Sequence, residues 1–144
     1  MAAIIVGPTN WQKNEYVSTL VQTASLGDPV LGGYLICRSG GSTAWIVAPA
    51  SSEVSRNWYN RNDAVTTATN CTSATGWFVP TCGQLKNPGY TCRTYWDSYS
   101  STYYWSSTEG DSTLAWTVYF TTGNTIYGSK TSANCVRAFR CVTY

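Results

Sequence analysis

Six cysteines stand in a chain of 144 residues, at positions 37, 71, 82, 92, 135 and 141. An even count in so short a chain reads as a disulfide framework, one that ties segments far apart in sequence to each other. The spacings Cys71-x10-Cys82, Cys82-x9-Cys92 and Cys135-x5-Cys141 match no zinc-binding pattern, so no metal site is expected. Cytosolic proteins seldom keep stable disulfides, and the competing reading is six reduced, buried thiols.

Composition narrows what such a chain can do. Charged residues are only 11 % of the whole, against about a quarter in ordinary soluble domains. The surface must therefore be built from Ser, Thr, Asn, Gly and Tyr, a composition seen on virion shells, adhesins and secreted modules. Nine basic and seven acidic residues give a net charge of +2 with no basic run, so the electrostatic footprint of a nucleic-acid binder is missing. There is no His, which removes the usual general base and the commonest metal ligand. Ser-His-Asp and Cys-His catalysis are excluded on that ground, and no enzyme and no cofactor is expected.

The first residues carry an apolar run from Ala2 to Val6 without a basic flank, so no secretory signal and no membrane span is read there. Trp11 to Val21 has helical spacing of Tyr16, Val17, Leu20 and Val21, and Gly27-Asp28-Pro29 ends it. Gly32 to Cys37 and Ala44 to Ala48 are two apolar runs around Gly40-Gly41, a hairpin signal. Asn57 to Thr72 reads as a helix with Ala64, Val65, Ala68 and Cys71 on one face. Thr81 and Gln84 have capping-box spacing, so a second helix is expected to start there, and Asn87-Pro88-Gly89 breaks it. A long loop from Gly89 to Ser101 leads to three strand-like runs, Tyr103–Ser106, Leu114–Phe120 and Cys135–Val142, with a hairpin turn at Thr122-Gly123-Asn124. The class is α+β.

Several of these segments resemble a bacterial and phage family that includes the lectin-like C-terminal domain of a collagen-like adhesin, the Lcl C-terminal domain. The matching residues are Gly32-Gly33-Tyr34-Leu35-Ile36 with Trp45-Ile46-Val47-Ala48-Pro49, then Asn62-Asp63-Ala64 leading to Cys71, then Gly76-Trp77-Phe78-Val79-Pro80-Thr81. Tyr104-Trp105-Ser106-Ser107-Thr108-Glu109 is the most distinctive, and Val136-Arg137-Ala138-Phe139-Arg140 closes the series. Phe78 stands where the family usually has Arg. The resemblance covers about 33–143 in order. It implies a C-type-lectin-like fold, a looped mixed or antiparallel sheet flanked by two helices and supported by disulfides. It divides the chain into a lectin-like domain over 32–144 and an attachment or oligomerisation segment over 1–31.

The resemblance also implies that Cys71 pairs with Cys141, the first helix tied to the last strand. Closing a loop of about 70 residues would remove unfolded-state entropy worth about 4 kcal/mol. Cys82 with Cys92 is a possible local link, which leaves Cys37 with Cys135. Trp105-Ser106-Ser107-Thr108 reads either as a binding loop or as a fold signature whose hydroxyls close a turn. The candidate ligand site is the aromatic stretch Tyr90, Arg93, Tyr95, Trp96, Asp97, Tyr99 and Tyr103, since aromatic faces beside hydroxyls and carboxylates suit sugar rings and protein contacts. The competing reading is a loop that packs its own aromatics. The calcium-sugar motifs of true C-type lectins are absent, and seven scattered acids do not make a calcium cage. The expectation is a non-enzymatic phage virion protein, a capsid decoration or fibre-tip subunit. Its partners would be other virion proteins, further copies of itself, and host-surface glycan or protein. The alternative is a secreted or cell-surface adhesin binding glycan or matrix.

Overall fold

A computed structural model describes residues 10–144, with side chains from Tyr16 onward. It has the α+β character expected: a few short helices and mostly antiparallel, curled sheet. Helix α1 (Asn10–Thr23) leads into a short strand β1 (Pro29–Val30). Strands β2 (Gly33–Ser39) and β3 (Thr43–Val47) form the hairpin read from the sequence, with Gly40 and Gly41 both at positive φ in the turn. Strand β4 (Val54–Arg56) comes next, then helix α2 (Asp63–Thr72) and the single helical turn α3 (Cys82–Gln84). The chain finishes with β5 (Tyr103–Glu109), β6 (Leu114–Tyr119), β7 (Thr125–Ser129), β8 (Asn134–Val136) and β9 (Phe139–Thr143).

These strands make two sheets. One runs β1-β2-β3-β9, the other β4-β8-β5-β6-β7. The run expected as one strand over 135–142 is therefore two, in different sheets. The break falls at Arg137-Ala138, where the Arg137 side chain is drawn into a buried network of carbonyls and carboxylates. The helix expected over 57–72 is also interrupted. Asn57 caps a short 3-10 turn at Trp58–Asn60, accepting from the Asn60 N–H, and α2 begins only at Asp63. The capping box at α3 forms as the spacing predicts: Thr81 Oγ1 accepts from Gln84 N, and Gln84 Oε1 accepts from Thr81 N at 3.0 Å.

The strict alternation of β3 sorts two cores. Ala44 and Ile46 face one side with Val21, Leu35, Ala68, Trp77 and Ala138. Val47 faces the other with Ile36, Leu85, Trp96, Tyr104, Val118, Phe120 and Phe139. A third cluster, Trp58, Ala64, Val79, Trp105, Ala115 and Val136, fills the space under α2 and the second sheet. The part of the 1–31 segment from Val17 on belongs to the first core, since Val21 and Val30 are buried there. Arg38 secures α1 by donating to the carbonyls of Val21 and Ala24, which the end of a helix otherwise leaves unpaired. Whatever an attachment role asks of residues 1–9 lies outside the described residues.

All six cysteines are free thiols, and the expected bridges are not formed. Cys71 and Cys141 are both exposed. Alternation along β9 puts Cys141 on the Phe139 side, whereas α2 delivers Ala68 to the opposite core. Cys71 lies in the last turn of α2, just before Ser73 turns the chain at positive φ, and there it is exposed, whereas Ala64 and Ala68 are buried. Cys135 sits on β8 opposite Tyr104 and Ser55, next to Glu53 and Ser100, and does not meet Cys37.

Candidate binding surface

The aromatic stretch after Gly89 divides into anchors and surface. Trp96 is an anchor: it is buried with ring centres 5.1 Å from Phe120, 5.6 Å from Phe139 and 5.8 Å from Tyr104. Tyr90 stands edge-on to Phe120 at 5.4 Å, and the Arg93 guanidinium lies 4.0 Å from the centre of the Tyr90 ring. Gly123 is needed opposite that ring, because a Cβ there would come within 2.4 Å of it. Tyr99 leans on Trp96 and Phe120 while a third of it stays open, and Tyr95 is exposed beside Gly27.

Asp97, expected as a polar group for a ligand, is already occupied. Its carboxylate accepts from Ala50 N at 2.7 Å and from Arg137 at 3.2 Å. Arg137 is the centre of this arrangement. Fully buried, it donates to Glu53 at 3.1 Å, to Ala48 O at 2.9 Å and to Ser98 O at 2.6 Å, and lies 5.0 Å from the Trp96 ring centre. Glu53 also accepts from Ser100 Oγ and from the Tyr104 hydroxyl. Burial, reinforced by the bond to Glu53, raises the Tyr104 phenol well above the usual tyrosine range, so it stays a neutral donor. Two acids, two carbonyls and one guanidinium thus hold the loop 97–100 against the first sheet.

The Trp105-to-Thr108 run is similarly occupied. Trp105 is buried and donates to Arg56 O at 2.9 Å; Ser106 Oγ donates to Trp116 O at 2.7 Å; Thr108 Oγ1 accepts from Cys82 N at 2.9 Å. These bonds lock β5 to its neighbours, as a fold signature would.

Tyr103 differs from the rest. It stacks on Tyr119 across the β5–β6 pair, ring centres 4.5 Å apart and planes 24° off parallel. The two rings form a ledge at one wall of an open hollow of about 470 Å³, completed by Lys86, Asn124, Thr125 and Ile126. On the other side of the Tyr103–Ile126 ridge is a second hollow of about 250 Å³, lined by Thr117, Tyr127, Gly128, Ser129, Ser132 and Asn134. Strand β7 is open along its length, with Ile126 and Tyr127 exposed. Of the seven residues expected at a site, Tyr103 alone lines either hollow. The residues that join it (Lys86, Tyr119, Asn124, Thr125, Ile126) come from the break after α3 and from the β6–β7 hairpin. The available signal was the weaker face of β6, where Tyr119 alternates with Val118 and Phe120.

The ledge and its hollow offer flat aromatic faces, one cation (Lys86), one amide (Asn124) and three hydroxyls (Tyr103, Tyr119 and Thr125). It can stack a ring and hydrogen-bond its edge. Among the described residues no group of three or more Cys, Asp or Glu is placed to hold a metal ion, and no helix is long and apolar enough to cross a membrane. The sequence matches no known family model and no curated protein.

Proposed function

We propose that this chain is a non-enzymatic attachment module, a C-type-lectin-like subunit of a bacteriophage particle that joins other virion proteins and meets the host surface through the Tyr103–Tyr119 ledge. The observation that carries the reading is the ledge itself: a stacked tyrosine pair on a stiff five-stranded sheet, beside an open hollow with a polar rim. Rigid amphipathic aromatics give contact area at small entropy loss, which suits recognition. The low charge of the chain and its resemblance to a family rich in phage proteins support the particle context. The absence of His removes the commonest proton-transfer group and agrees with a binding role.

The test has two arms. Antibody raised against the chain should label purified phage particles from lysates of cells that carry its gene. The chain, tagged and displayed as a multimer, should bind an array of bacterial surface glycans. A label confined to the cell envelope would move the protein to the adhesin class. Binding to neither particles nor glycans would overturn the proposal.

A further inference from the structure

We propose that Cys37 and Cys92 are a cross-linking pair whose sulfurs join in an oxidising medium, tying β2 to the loop that precedes β5. Three placements bring them together. A β-bulge between Leu35 and Cys37 turns consecutive residues Ile36 and Cys37 toward the second core. Cys92 packs on that same core, held in a turn by its N–H to Pro88 O at 2.8 Å. The next turn, Arg93–Tyr95, lies against β2. The two thiols are near enough to interact electrostatically, each still free, with Cys37 Sγ bonded to Arg38 O at 3.4 Å. Of the other four, Cys71 and Cys141 are exposed, Cys82 opens α3, and Cys135 has Glu53 and Ser100 beside it.

The chemistry balances with a small-molecule disulfide such as oxidised glutathione. One protein thiolate attacks a sulfur of that disulfide and expels its thiolate, leaving a mixed disulfide. The second protein thiolate attacks the protein sulfur and expels the other half. Two protein thiols become one disulfide, and the two protons and two electrons leave on two reduced thiols. The link spans 55 positions of chain, so it constrains the unfolded state substantially.

The experiment uses the full chain, purified reduced, incubated with oxidised glutathione, alkylated and digested with trypsin. Cleavage after Lys86 and Arg93 isolates Cys92 in peptide 87–93, away from Cys82, and Cys37 lies in the peptide ending at Arg38. The expected product is those two peptides joined, with the intact chain lighter by two hydrogens. Cys135→Ser should leave the link intact, while Cys37→Ser should leave Cys92 carrying glutathione. Peptide 87–93 joined to a peptide containing Cys82 or Cys135 would overturn the pairing. So would glutathione on Cys37 and Cys92 separately in the wild-type chain. The wild-type map decides the question even if a serine variant fails to fold.

Discussion

Replacing Arg137 with Met keeps most of the side-chain volume and removes the guanidinium. Four partners then lose their donor: the Glu53 and Asp97 carboxylates and the carbonyls of Ala48 and Ser98. Breaking a fully buried ion pair costs about 3–5 kcal/mol. Here Arg137 is buried, but the Glu53 and Asp97 side chains are 15 % and 21 % exposed and can recover some hydration. Glu53 also keeps its bonds from Ser100 and Tyr104, and Asp97 keeps Ala50 N. The loss is therefore placed at the lower end, about 3 kcal/mol. For a domain of this size that is a fall in Tm of about 10 °C. Arg137→Lys keeps the charge but not the fork, and should lose about half as much. Urea unfolding followed by tryptophan fluorescence measures both, with an unchanged m-value showing that the same transition is read. A loss below about 1 kcal/mol for Arg137→Met, with native fluorescence, would refute the claim that this network holds the loop.

Particular contacts set three further outcomes. Gly123→Ala should cost about 2 kcal/mol in the same assay, because position 123 has φ of +82° and the new methyl meets the Tyr90 ring. Thr81→Ala should cost about 1 kcal/mol by removing one half of the capping box, and Thr81→Ser should restore it. In the reduced chain, burial, with smaller contributions from the charge and hydrogen bond of Cys37, pushes the Cys92 thiol up to about 11. Its alkylation rate should keep rising with pH beyond 9.0, the ordinary thiol value, rather than levelling there. Since the folded value lies above the unfolded one, this thiol's contribution to stability is fully present below the unfolded value and is lost as pH rises through the folded one.

The local punctuation of the chain was legible. Gly40-Gly41, the Thr81–Gln84 spacing and the alternation through Val118 and Phe120 each became the turn, cap or strand they suggest. Each of these is decided by residues within a few positions, where sequence patterns carry information. The features that escaped depend on tertiary pairing. Nothing local marks Arg137 as the point where the chain leaves one sheet for the other, because the reason is two acids and two carbonyls 39 or more residues away. The cysteine pairing failed similarly. Spacing does not reveal the bulge in β2 that aims Cys37 at the second core. At the candidate site, clustering in sequence selected Trp96 and Asp97, which the fold uses internally. Tyr119, Asn124, Thr125 and Ile126 reach Tyr103 only because β6 and β7 pair in the observed register.

The proposed contact surface is the Tyr103–Tyr119 ledge. It is tested most directly by binding of a multimerised chain to isolated bacterial envelopes, comparing wild type with Tyr103→Ala/Tyr119→Ala. Both rings are only half-buried, so circular dichroism should show the fold retained. The double variant should bind at least about tenfold more weakly, the loss that follows when aromatic contacts at the centre of an interface are truncated. Binding by the folded double variant equal to wild type would contradict the proposal.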